Sequence, residues 1–391
     1  MEVYLDNSAT TKPIPEVIAA INRAYSDCYG NPSSLHRKGL EAERDLSQAR
    51  RKMAFALGAA PEEICFTSGG TESNNLAIMG FLKRARHFNK FIATTKIEHP
   101  SVLNVFKQLE AEGFEVAYLN VDSSGILKLN EVRAVLEKEP ALLSIMLVNN
   151  ETGALQPIPE IVKLLRSSGK KTIFHVDAVQ AFGKVPFRVN SLNIDLLSVS
   201  GHKFHGPKGV GALFIKKGVK LEPLFYGGNQ ENGLRSGTEN LPAIAGMSAA
   251  AEQAVRSLAE DIAKMRLLKE HLQNEIERNI PDIRINSPSG ANCAPHILDV
   301  SFLGVKSEIL LHALEQDGIY VSSGSACSSR KKSFSHVLQA MGRSEAELDS
   351  AIRFSFSRFN ELAEIDYVAD RLQAQVAALR KTITGDRKWK K

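Results

Sequence analysis

Cysteine is scarce in this chain: Cys28, Cys65, Cys293 and Cys327 are the only four in 391 residues, and none forms a Cys-x-x-Cys pair. That spacing argues against both a disulfide framework and a thiolate zinc site, and it fits a reducing compartment. No apolar run approaches membrane-spanning length. The opening Met1-Glu2-Val3-Tyr4-Leu5-Asp6 has no basic stretch followed by an apolar one, so the protein is expected to stay in the cytoplasm, without a membrane partner. Charge of either sign is also in small excess. Forty-nine Lys and Arg against 44 Asp and Glu leave +5, too little to argue for direct nucleic-acid binding, and part of it falls in the Arg387-Lys388-Trp389-Lys390-Lys391 tail. There is no internal repeat and no low-complexity segment.

What is present is an ordinary globular composition, with length enough for a large domain and a smaller companion. From about Ile18 to Ile215, short apolar runs alternate with helical periodicity. Strands are expected at Phe91 to Thr94, Glu115 to Leu119, Leu142 to Val148, Thr172 to Val176 and Leu196 to Ser198, with helices between them. This is the pattern of an α/β fold with a mostly parallel sheet covered on both faces. Ligands in such sheets bind beyond the carboxyl ends of the strands, where His99, Asn150 and Asp177 stand. A proline-free stretch from Ala243 to Ile280 reads as one long helix leaving this domain. Beyond it, strands at His296 to Phe302, Ile319 to Ser322 and Ala351 to Phe356 alternate with helices. The expected division is residues 16–255 as the large domain, and 1–15 with 256–391 as a small α+β domain.

Lys203 lies on a Gly/Pro-rich turn, Ser200-Gly201-His202-Lys203-Phe204-His205-Gly206-Pro207, between two strand-like runs. A lysine desolvated there beside other cations can form a Schiff base, as pyridoxal phosphate requires. Asp177 closes the strand before it and can keep a pyridinium nitrogen protonated. Thr67-Ser68-Gly69-Gly70-Thr71 precedes a helix, where backbone N–H groups can approach a phosphate; a capped Gly-rich turn is the plainer reading. His99, just before Pro100, is placed to stack on a ring and exchange protons. His202 and His205 with His175 would allow a metal site, but Lys203 between them would then be unexplained.

Two further segments carry chemistry. Ser322-Ser323-Gly324-Ser325-Ala326-Cys327-Ser328-Ser329 leads into Arg330-Lys331-Lys332, and such cations favour a nucleophilic thiolate. Cys65 falls in a buried strand, and Cys28 and Cys293 have no cationic run beside them. Arg353 interrupts an apolar strand, so its guanidinium needs either a substrate carboxylate or an internal ion pair.

Taken together, Leu5 to Thr11, Thr67 to Asn75, Glu98-His99-Pro100, Asn149 to Gly153, Asp177 to Gln180, the Lys203 turn, Leu234 to Asn240, the Cys327 loop and Arg353 resemble the NifS-like cysteine desulfurases. These are pyridoxal-phosphate enzymes of aminotransferase fold type I, class V. The resemblance implies that Lys203 carries the cofactor, Asp177 pairs with its ring nitrogen, Gln180 bonds its phenolic oxygen and His99 stacks on the ring. It also implies that Asn150 helps bind cofactor and substrate, that Gly70, Thr71, Ser200 and His202 hold the phosphate, and that Thr238 reaches the phosphate across a homodimer interface. Arg353 would bind the carboxylate of L-cysteine, and Cys327 would take the sulfur as a persulfide, leaving L-alanine. The longer loop form implies delivery to a protein acceptor in iron–sulfur assembly or tRNA thiolation. No metal is expected. The rivals are a pyridoxal lyase or transaminase for another amino acid such as selenocysteine, and a catalytically silent assembly subunit.

Overall fold

A computed structural model describes residues 1–84, 89–167, 169, 171–323 and 334–386. Its centre is a seven-stranded sheet in the order Ile64–Thr67, Gly211–Ile215, Leu196–Ser200, Ile173–Asp177, Leu142–Met146, Phe91–Thr95, Glu115–Leu119. Gly211–Ile215 runs antiparallel to both neighbours, and every other pairing is parallel. The strands Phe91–Thr95, Leu142–Met146 and Leu196–Ser200 are buried at every residue. Apolar side chains must therefore point to both faces, and the sequence runs continuously hydrophobic instead of alternating. Register brings the chemistry to one edge: Met146 pairs with Asp177, Asp177 with Ser198, and Ser200 with Gly211, which also pairs with Thr67.

The second layer system is a four-stranded antiparallel sheet in the order Ser322–Ser323, Ala351–Ser355, Ile297–Phe302, Ile283–Ile285. An apolar cluster of its own, including Leu268, Leu272, Phe302, Leu310, Phe354 and Leu372, lies between that sheet and the helices Leu258–Asn279, Ser307–Gln316 and Leu362–Asp386. The N-terminus joins it: Val3–Tyr4 pairs in parallel with Ile319–Tyr320, and Asp6 bridges to Ser355. Among the described residues no helix is long and apolar enough to cross a membrane.

Two expectations are corrected. The stretch from Ala243 to Ile280 is two helices, Leu241–Arg256 and Leu258–Asn279. At Ser257 the hydroxyl bonds the Gln253 carbonyl at 3.0 Å and Asp261 at 2.6 Å. Such a local bond competes with the helical ladder, and no proline is needed to end the first helix. The run Ile319 to Ser322 also splits: Ile319–Tyr320 serves the N-terminal strand and Ser322–Ser323 the four-stranded sheet.

Candidate active site

Beyond the carboxyl ends of the parallel strands lies a cavity of about 480 Å³. Nearly every residue singled out from the sequence borders it: Gly70, Thr71, His99, Asn150, Asp177, Gln180, Ser200, His202, Lys203 and Arg353. Thr238 does not; with Arg235 and Glu239 it lines a separate cavity of about 270 Å³. Cys327 and Arg330-Lys331-Lys332 lie outside the described residues. The described residues flanking them are tied to the site. Ser323 borders the cavity, while Ser335 donates to Glu151 and His336 Nε2 lies 2.9 Å from the Glu98 carbonyl.

Lys203 closes the short turn Gly201–Lys203 that follows strand Leu196–Ser200. Its Nζ donates to the carbonyls of Ser8 at 2.6 Å and Ala9 at 2.8 Å. The N-terminal segment reaches this turn because Thr11 N and Oγ1 both donate to the His202 carbonyl, at 2.9 and 2.8 Å. Asp6, Ser8 and Ala9 therefore belong to the cavity wall, although no chemical signal in Leu5 to Thr11 marks them.

Asp177 ends its strand almost wholly buried. Its Oδ1 accepts from Val179 N at 2.9 Å and its Oδ2 from Asn74 Nδ2 at 2.8 Å; Asn74 also donates to Ser101 Oγ at 2.9 Å. Asn74 is a site residue that sequence reasoning missed. It stands inside the Gly-rich motif, but only the fold turns it toward Asp177. His99 caps the helix Pro100–Ala111, its Nδ1 accepting from Ser101 N at 3.1 Å. Burial pulls the imidazole below its ordinary pKa, against the opposing pull of Asp177. Burial and Lys203 lower His202 to about 4, and burial alone lowers His175 to about 3. His202 and His205 face different partners, Thr10 Oγ1 and the Lys12 carbonyl.

Arg353 has an internal partner in this fold. Nη2 pairs with Asp6 Oδ1 at 2.8 Å and Nη1 donates to the Asn150 carbonyl at 2.8 Å, so an internal ion pair is present. Its buried Nε has no partner among the described residues, so the guanidinium's donors are not all used. Two buried acids were also missed. Glu98 is pushed up to about 8 by burial, despite bonds from Thr95 Oγ1 and Met146 N, and burial likewise raises Glu151.

The residues fit pyridoxal phosphate. Gln180 Oε1, Asn74 Oδ1 and Ser8 Oγ belong to cavity-lining residues and are buried without a partner among the described residues, as expected where a polar ligand completes the site. Helix Gly70–Arg84 begins at the cavity, and a Cβ on Gly70 would lie 2.8 Å from Val179 Cγ2. Only glycine allows that close approach at an anion-attracting helix start. An amine and a carboxylate, Lys203 and Asp177, complete the set.

A family model described as aminotransferase class-V matches residues 3–368. The chain is 45% identical over 378 residues to a cysteine desulfurase of Nostoc sp., covering 97% of this chain and 94% of that protein. Among solved structures it is similar to a NifS-like protein, with a TM-score of 0.91 and 40% identity over 96% of this chain and 100% of the other. It is also similar to a structure described as SspA in complex with cysteine, with a TM-score of 0.79 and 35% identity over 92% of this chain and 100% of the other.

Proposed function

We infer the reaction from the family: the chain belongs to the class-V aminotransferases, and it is a pyridoxal-phosphate-dependent cysteine desulfurase that converts L-cysteine to L-alanine and passes the sulfur on. The observation that carries this reading is the convergence of Lys203, Asp177, His99 and Arg353 on one cavity. Similarity to cysteine desulfurases along nearly the whole chain supports it.

Pyridoxal phosphate, when bound, supplies an electron sink for the carbanion formed at the amino acid's Cα. Lys203 would hold the cofactor through its Nζ and would be the base that moves the proton at the substrate Cα. Asp177, fixed by Asn74 and the Val179 amide, keeps the ring nitrogen protonated. Gln180 would bond the phenolic oxygen, and His99, its pKa lowered by burial, would stack on the ring. Gly70, Thr71, Ser200 and His202 hold the phosphate, with Thr238 supplied by a second copy in a homodimer. Asn150 and Arg353 orient the substrate, its carboxylate meeting the guanidinium beside Asp6. Cys327 attacks the substrate sulfur: a sulfur–sulfur bond forms, the carbon–sulfur bond breaks, and a persulfide remains on the protein.

The small unit that carries Cys327 is taken as residues 1–15 with 256–391, against 16–255. The separate apolar cluster under the four-stranded sheet supports that division. The acceptor is a protein of iron–sulfur assembly or tRNA thiolation, and the site of action is the cytoplasm. Cys327→Ala tests the reading. Purified with its cofactor, the variant should bind L-cysteine with spectral change yet accumulate neither alanine nor sulfide. Full alanine production would instead assign the protein as an ordinary lyase.

A further inference from the structure

Cys293 has no basic neighbour in sequence, yet Lys269 Nζ lies 2.6 Å from its Sγ. The contact joins the helix Leu258–Asn279 to the loop ahead of the strand Ile297–Phe302. Lys269 is only 6% exposed. Its other described acceptor is the Ala294 carbonyl at 3.1 Å, and no carboxylate among the described residues pairs with it. A buried ammonium without a counter-ion is costly, so this lysine is not placed there to form an ion pair. The nitrogen and sulfur stand inside ordinary van der Waals contact, within reach of a single covalent bridge. Cys293 is half-buried, not enclosed.

We propose that Lys269 and Cys293 form an oxidative cross-linking site, in which hydrogen peroxide oxidises the sulfur and the lysine amine traps it. The first step converts the Cys293 thiol to a sulfenic acid as one peroxide is reduced to water. Lys269 releases its ammonium proton to solvent and its nitrogen then donates the freed lone pair to sulfur; the S–O bond breaks, and hydroxide leaves with a second proton from the nitrogen as a second water. Thiol, amine and one peroxide thus become an S–N bond and two waters. A thiol reductant reverses the bond by attack on sulfur. Trapping by an adjacent nitrogen follows the known condensation of sulfenic acids with backbone nitrogen, and it protects Cys293 from irreversible oxidation. The cross-link bears on the cavity because Ala294 N donates to the Gly153 carbonyl at 2.8 Å and Leu155 N to the Asn292 carbonyl at 2.9 Å. The loop it anchors therefore braces the turn that carries Asn150 and Glu151.

The test uses the full chain loaded with its cofactor and titrated with hydrogen peroxide. Remaining thiols are then alkylated, and the protein is digested with trypsin for mass spectrometry. The expected product is a linked pair of peptides spanning Lys269 and Cys293, lighter by two hydrogens than their sum, with cleavage after Lys269 lost and both changes reversed by dithiothreitol. A linked pair retaining one oxygen between nitrogen and sulfur would contain a different bond, needing a second oxidising equivalent, and would overturn the S–N step. Lys269→Arg and Cys293→Ser should abolish it, and Lys269→Arg should let Cys293 proceed to sulfinic acid at doses where the wild type does not. Cys293 recovered alkylated, or as sulfinic or sulfonic acid without linkage, in wild-type protein exposed to the same doses would overturn the proposal.

Discussion

Replacing Asn74 with alanine removes one of the two described hydrogen bonds that hold the Asp177 carboxylate, the 2.8 Å contact to Oδ2, and leaves the Val179 amide on Oδ1. Asp177 is only 5% exposed, so water cannot readily take the place of the lost donor. A hydrogen bond to a charged group contributes about 1.5–3 kcal/mol, which corresponds to a change of roughly 10- to 150-fold in any equilibrium that depends on the placed carboxylate. The cofactor dissociation constant should rise by that factor. Turnover at saturating cofactor should fall as well, because Asp177 would then be less firmly aligned with the ring nitrogen. The assay is a titration of cofactor-free protein with pyridoxal phosphate, followed by its absorbance, alongside thermal unfolding of both forms. Asn74 also bonds Ser101 Oγ, which itself lies 2.8 Å from His99 Nδ1, so Ser101→Ala removes those two contacts together while leaving the Asn74 bond to Asp177 in place. Cofactor affinity and turnover within twofold of wild type in Asn74→Ala, with only the melting temperature lowered, would refute the role assigned to Asn74.

Glu98 sets a pH dependence of stability. Burial raises its folded pKa to about 8 from an ordinary 4.5, so its favourable contribution is complete below about 4.5 and is lost as pH rises through 8. Between those values the wild type should lose up to about 1.4 kcal/mol per pH unit relative to Glu98→Gln, which mimics the protonated acid; parallel melting curves for the two proteins across that range would rule this out. Asp6→Asn keeps an acceptor for Arg353 Nη2 while removing the competing charge. It should tighten binding of the product L-alanine about fivefold, or ~1 kcal/mol, as read by spectral titration. Weaker binding would show that Asp6 chiefly positions the guanidinium.

Much of the site was legible because its chemistry imposes local rules on the chain. A lysine on a Gly/Pro turn, a carboxylate ending an apolar strand and a glycine pair opening a helix each express a constraint that acts within a few residues. Those residues meet because parallel strands put their carboxyl ends on one edge, and hydrophobic periodicity alone reports that topology. The same periodicity could not detect the break at Ser257, where a hydroxyl competes for a backbone carbonyl without disturbing the apolar pattern.

Contacts between segments far apart in sequence were decided by the tertiary structure. Sequence alone determined the α/β class, the placing of a lysine, Lys203, on a Gly/Pro turn between strands, and the need for Arg353 to find an anionic partner. It could not say that Asp6 would be that partner in the structure, that Asn74 would hold Asp177, or that Lys269 would come to rest against Cys293. Each of these pairs is brought together by the docking of whole elements: the N-terminal strand onto Ile319–Tyr320, the Gly70–Arg84 helix against the sheet, and the Leu258–Asn279 helix against the loop before Ile297. Local propensity carries no record of such docking. It follows from the burial of apolar faces, and the polar partners along those faces are carried into contact with them.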